Sequence, residues 1–207
     1  MSITVLLIIV TVGISFLAFN KEELMDRLIF YPPAIAERNG WVRLFSCGFI
    51  HGDIPHLLFN MYSLYLFGEA VELRFGLLFG EKGKLLYLVM YITAIAVAIL
   101  PTYFKNKHNY HYKSLGASGA VSAVVGAYLA LFPRARLGLV LPLGLFLEFV
   151  KIPASLLIGV WIVVQLLFTW FGPAFGAVVW WTHIAGFAVG AVFAFLSRPA
   201  IARRLRN

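Results

Sequence analysis

Six stretches of the chain are apolar over about the length that a membrane-crossing helix needs, roughly 20 residues. They run from Ile3 to Phe19 and then, approximately, His56–Leu73, Leu85–Phe104, Leu115–Phe132, Ile152–Phe171 and Ala174–Leu196. Hydrocarbon offers a backbone no hydrogen-bond partners, so each stretch is expected as a helix, which satisfies its own N–H and C=O groups. The segments between them differ in kind. Asn20–Pro55 is long, polar at both ends and apolar in patches, and reads as a folded loop lying against the membrane. Lys105–Lys113 is polar and rich in His, Tyr and Lys. Leu137–Val150 is apolar but too short to span, and is expected as an interfacial or re-entrant lead into the fifth helix. No internal repeat or low-complexity tract is visible. The expected fold class is therefore all-α. It is a polytopic membrane bundle of six transmembrane helices with a long membrane-associated first loop, forming a single domain over residues 1–207.

Composition strengthens this reading. Hydrophobic residues make up 61% of the chain and charged residues 13%, against about half and a quarter in a soluble domain. Mean hydropathy is +0.88, and a lipid bilayer is the partner that covers such a surface. The net charge of +8 comes from 17 Lys and Arg scattered between apolar runs, with a cluster only at the C-terminus. Nucleic acid needs a contiguous basic face, so no nucleic-acid partner is expected. The charge bears on orientation instead. Ten basic residues (Arg74, Lys82, Lys84, Arg134, Arg136, Lys151, Arg198, Arg203, Arg204, Arg206) fall on one side of the six-span topology, and seven on the other. Both termini are thus expected in the cytoplasm and the first loop outside it. Cys47 is the single cysteine, so no intrachain disulfide can form. The N-terminal run has neither a basic leader nor a small-residue cleavage site, and reads as a retained first span.

Ionisable groups inside spans are costly and mark function by default. His183 lies in the sixth span, and Gly186, Gly190 and Ala194 continue one face below it. Ser118 opens the fourth span, with Ser122 and Gly126 following at four-residue steps. Taken singly, His183 reads equally well as a packed histidine bonded to a carbonyl, and Gly116-Ala117-Ser118-Gly119 as a helix-packing motif. The two small-residue faces, however, suit close helix approach. Packing there would bring Ser118 and His183 within hydrogen-bond reach, about 2.6–3.2 Å. A serine hydroxyl needs a base to take its proton, and neutral histidine has a suitable pKa. The free N–H groups of a first helical turn, with the positive end of the macrodipole, would favour an oxyanion beside Ser118. His56 and Asn60 share one face at the start of the second span and could each donate to that oxyanion; helix capping with one buried amide is the other reading. No His-Glu-x-x-His occurs, and His108 and His111 sit among lysines in a polar loop, so neither metal nor cofactor is expected. Glu69, Glu72 and Arg74, at the far end of the second span, read as structural.

The chain resembles the rhomboid intramembrane serine proteases of the minimal six-helix bacterial type. The resemblance rests on Trp41-x-Arg43 and His51 in the first loop, His56-x-x-x-Asn60 and Gly68-x-x-x-Glu72 in the second span, and Gly116-Ala117-Ser118-Gly119 opening the fourth. Phe132-Pro133-Arg134-Ala135-Arg136 ends the fourth, Trp161-x-x-x-Gln165 marks the fifth, and His183-x-x-Gly186-x-x-x-Gly190 the sixth. The resemblance implies a rhomboid-like fold and a Ser118–His183 dyad without an aspartate. It also implies an oxyanion hole from His56, Asn60 and the Ser118 N–H, and transmembrane proteins as substrates. Trp41 and Arg43 would brace the first loop. Gly116 and Gly119 would be structural packing residues, and Gly186 and Gly190 would hold the sixth helix on the fourth. The fifth helix and the Phe171–Ala177 segment would gate access. The expected location is the bacterial cytoplasmic membrane, with the site opening to the extracytoplasmic side. Two positions depart from the family pattern. Ser122 stands where an aromatic often stacks on the base, and Thr182 where alanine often precedes it. Both bear on how His183 is restrained, and both leave the reacting groups in place. A non-catalytic rhomboid-like protein that binds or escorts membrane clients is the alternative, and would keep client binding without Ser118. A transporter or channel would line a path with ionisable groups, whereas the polar groups here gather towards one side.

Overall fold

The computed structural model of the chain describes residues 1–143, 146–171 and 180–197. Helix α1 spans Ile3–Phe19. The first loop carries α2 (Glu22–Leu28), α3 (Pro32–Arg38), α4 (Arg43–Ser46) and a 3-10 turn at Cys47–Phe49. Then come α5 (Ile54–Phe79), α6 (Lys82–Asn106), α7 (Ser118–Leu131), the strands β1 (Arg136–Leu143) and β2 (Phe146–Pro153), α8 (Ala154–Phe171) and α9 (Trp180–Leu196). Among the described residues, α6 alone is both long and apolar enough to cross a membrane on length and composition; α1, α7, residues 154–164 of α8 and α9 are shorter apolar helices. Of the expected sixth span, residues 174–179 lie outside the described residues.

Local chemistry sets the helix boundaries. Asp53 caps α5 by accepting the His56 N–H at 2.7 Å, and Pro55 sits in the first turn, where its missing N–H costs nothing. Gly80, at φ 62°, ends α5 in a conformation that a side chain would disfavour. The second helix therefore runs six residues past the expected Leu73, carrying Glu69, Glu72 and Arg74 within it. The two acids are tolerated there because α1 gives them partners. Glu72 accepts the N–H groups of Ile3 and Thr4, both at 2.8 Å, and the Thr4 hydroxyl at 2.9 Å. Glu69 accepts from the Ser2 hydroxyl. A carboxylate at a helix N-terminus satisfies orphan donors and opposes the positive end of the dipole. One turn earlier, a Cβ on Gly68 would strike the Tyr87 hydroxyl and Thr4, so α1, α5 and α6 converge where only glycine fits.

The core lies between α5, α6 and α7, with Leu64, Phe75, Tyr87, Tyr91, Ala123 and Val124 fully buried. A second cluster, Phe30, Ile35, Leu44 and Cys47 with Ile99 and Tyr103, seats the first loop on α6. Arg43 braces that loop by donating to the carbonyls of Asp26 at 2.7 Å and Ile29 at 2.8 Å, and Trp41 rests against Tyr103. Large apolar side chains such as Leu58, Phe59, Leu73 and Leu85 stay exposed on the helix exteriors, as a lipid-covered surface requires.

One expectation needs correcting. Leu137–Val150, expected as an interfacial or re-entrant lead within an all-α fold, does run directly into α8, but as two antiparallel strands, paired from Arg136 with Pro153 to Leu143 with Phe146. The all-α reading therefore holds for the bundle but not for this connection. Pro142 and Gly138 disfavour a helix there, while hairpin pairing satisfies half of each strand's backbone groups in a segment with few polar side chains.

Candidate active site

Helix α7 starts at Ser118, three residues later than the apolar run suggests. The turn before it is held from two sides. The Gly116 N–H donates to the Cys47 carbonyl at 2.9 Å, and the Ala117 N–H to His51 Nε2 at 3.4 Å. Upstream, Phe30 and Ser114 exchange backbone hydrogen bonds at 3.0 and 3.1 Å. Gly116 has φ +120°, and the space a Cβ would take is filled by the His56 ring, with Cε1 2.7 Å and Nε2 3.0 Å from that point. Glycine is needed there on both counts, and the same contact lays His56 against the nucleophile turn.

His51 had a place in the sequence motif but no role. It is fully buried. Because Nε2 accepts from Ala117, its proton sits on Nδ1 and is donated to Ser15 Oγ at 3.0 Å. The Ser15 hydroxyl then donates to the Phe49 carbonyl at 3.1 Å. Both ring nitrogens of His51 and the Ser15 hydroxyl are thus paired, and this relay ties α1 to the residue preceding Ser118. Burial, with a smaller contribution from neighbouring His56, lowers the His51 pKa to about 4, so the ring is neutral. Cys47 is the one other strong nucleophile type present, and burial pushes its thiol up to about 12, which makes it inert.

The glycines expected to bring α7 and α9 together do so at backbone contact. A Cβ on Gly186 would overlap the Gly119 carbonyl, one on Gly190 the Ala123 carbonyl, and one on Gly126 the Phe187 carbonyl. A Cβ on Gly119 would meet Thr182 and Ala98. With the helices this close, His183 Nε2 lies 2.8 Å from Ser118 Oγ, within reach for proton transfer. Both residues are only partly buried. Next to His183, the buried Thr182 hydroxyl pairs with that of Thr102 on α6 at 3.1 Å.

Asn60 is buried on α5, and its Nδ2 donates to the His56 carbonyl at 2.9 Å. An amide nitrogen carries two hydrogens, so one more can be donated. Among the described residues, two indoles flank His183. The ring of Trp161, on α8, lies 6.2 Å from the imidazole at 34°, and that of Trp180 lies 6.2 Å away at 87°. The side chain of Gln165, and residues 172–177 of the expected gate segment, lie outside the described residues.

Comparison with known proteins bears on the family. The rhomboid domain family model matches residues 38–200. Rhomboid protease GlpG of Salmonella paratyphi A is 31% identical over 194 residues, covering 93% of this chain and 61% of that protein. RHOMBOID-like protein 12, mitochondrial, of Arabidopsis thaliana is 33% identical over 125 residues, or 55% of this chain and 34% of that protein. RHOMBOID-like protein 4 of the same plant is 38% identical over 91 residues, or 44% of this chain and 20% of its own length. The chain thus spans between a fifth and three fifths of the length of these relatives. With a family match over most of its length and a serine and a histidine from two helices in hydrogen-bond contact, the chain belongs to the rhomboid family of polytopic integral membrane proteins.

Proposed function

We propose that this chain is an intramembrane serine endopeptidase, a single rhomboid domain over residues 1–207 with six transmembrane helices. It would cut peptide bonds in or near the transmembrane helices of other proteins. The observation that carries the reading is the 2.8 Å contact between His183 Nε2 and Ser118 Oγ at the start of α7. Ser118 attacks the scissile carbonyl carbon while His183 takes the hydroxyl proton. His183 then gives that proton to the leaving amine, and water hydrolyses the acyl-enzyme by the same route in reverse. The Ser118 N–H, the second Asn60 hydrogen and the His56 ring are the donors for the oxyanion. The six expected spans and the charge bias support a topology with both termini in the cytoplasm and the site towards the extracytoplasmic side of a bacterial inner membrane.

Water must reach this site, and helix length supports that. The 14 residues of α7 extend about 21 Å, short of a hydrocarbon core of about 30 Å. On that length Ser118 would lie below the membrane surface, where a water-filled recess would have to reach it. A substrate helix would enter sideways past α8 and unwind locally to expose its carbonyl. The test is labelling of the detergent-purified protein with a fluorophosphonate. Wild type should label, while Ser118→Ala and His183→Ala should not, with melting temperatures unchanged. Equal labelling of all three proteins, or none in wild type, would defeat the protease reading and leave the client-binding one.

A further inference from the structure

The family pattern often places an aromatic on the base from the fourth helix, four residues after the nucleophile. Here that position is Ser122, small and buried on α7. An imidazole without a flanking ring would have more rotational freedom, and a general base must be held in line with the hydroxyl it serves. The neighbours of His183 supply a ring from another direction. Trp161 projects from α8 with its ring centroid 6.2 Å from the imidazole and the planes tilted by only 34°, within the range of offset aromatic packing. The same indole lies 6.4 Å from Phe187, at 46°. His183 and Phe187 are i and i+4 on α9, so the indole fills the notch between two successive turns. Phe187 gives the indole a second ring neighbour on the same helix, and the indole in turn limits the imidazole. Trp180 meets the imidazole edge-on from its own helix, at 87°, and so closes a different side.

We propose that Trp161 is the positioning residue for the His183 imidazole, replacing from α8 the ring that Ser122 lacks; this rests on the dyad reading above. The arrangement places the restraint on the helix expected to gate access. Movement of α8 would then loosen the base as well as open the path. The base would be fully ordered only when α8 has returned to α9.

The test is the kinetics of fluorophosphonate labelling in wild type, Trp161→Phe, Trp161→Leu and, as a control on the exposed face of α8, Val163→Ala. A small probe needs no lateral gate, so its reaction reports the dyad. Trp161→Leu should lower kinact roughly tenfold with KI unchanged. Trp161→Phe, which keeps a ring, should stay within about twofold of wild type, as should Val163→Ala. Equal rates for the Phe and Leu variants would overturn the assignment, since packing alone does not ask for a ring. A faster rate in Trp161→Leu would overturn it in favour of a purely obstructive role. Wild-type labelling with an unaffected Leu variant removes this assignment and leaves the protease reading intact. Absence of serine-dependent labelling in wild type removes both.

Discussion

Gly190→Ala is the sharpest perturbation of the packing that joins the dyad. Gly190 sits seven residues after His183 on α9, about 10.5 Å along the axis. A Cβ there would come within 3.0 Å of three Ala123 backbone atoms on α7, the carbonyl oxygen and carbon and the Cα. Backbone cannot rotate aside, so α9 must retreat by more than about 1 Å to reach ordinary contact. Gly186 abuts Gly119 in the same way one turn nearer the site, so the retreat carries to His183. The 2.8 Å contact then opens to about 4 Å, beyond hydrogen-bond range. Overpacking of this kind costs about 1–3 kcal/mol, and a 1 Å displacement of a reacting group costs on the order of 10²-fold in rate. The assay is the fluorophosphonate labelling rate alongside thermal melting in one detergent. Gly159→Ala on α8 is the control, because a Cβ there meets nothing within 4 Å. Wild-type labelling and melting in Gly190→Ala would refute the claim that backbone contact between α7 and α9 sets the dyad.

Asn60→Ala should slow cleavage of a transmembrane substrate by about 10²-fold; an unchanged turnover rate would reduce Asn60 to its bond with the His56 carbonyl. Glu72→Gln replaces one acceptor oxygen with a donor facing the N-terminal donors of α1. It should cost about 2–4 kcal/mol, seen as a lowered melting temperature; a shift under about 1 °C would show that α1 is anchored elsewhere. The His51 pKa is lowered to about 4 from 6.5, so its neutral form is favoured in the fold. Its contribution to stability is complete above pH 6.5 and is lost as pH falls towards 4. A melting series from pH 7 to pH 4 should therefore fall less steeply in His51→Gln than in wild type, and parallel slopes would contradict the proposed network.

Much of this was legible because membrane helices announce themselves locally. The run Ile3–Phe19 coincides with α1 to the residue, and the small-residue steps after Ser118 and His183 do mark facing helices. What the sequence concealed depends on distant partners. Glu69 and Glu72 look like the end of a span until α1, nearly 70 residues away, supplies donors for them. His51 acquires its role from Ser15 and Ala117, 36 and 66 residues off. Trp161 could be placed on the fifth helix but not rotated towards His183. The strands are hard to read locally because Leu137–Val150 is apolar with little alternation, although Gly138 and Pro142 within it disfavour a helix.

The hairpin also carries a consequence for depth. Among the described residues its sheet has two strands, so each strand has one rim of N–H and C=O groups that no described strand pairs. Oil cannot satisfy such rims, so the ribbon would float at the headgroups and act as a waterline beside the end of α7. Sounding about 21 Å down from that line would reach Ser118 before the opposite shore, and the deficit against the slab would vary with the lipid used. Acyl-chain length in reconstituted vesicles should therefore tune how readily water finds the nucleophile, with thinner bilayers uncovering it.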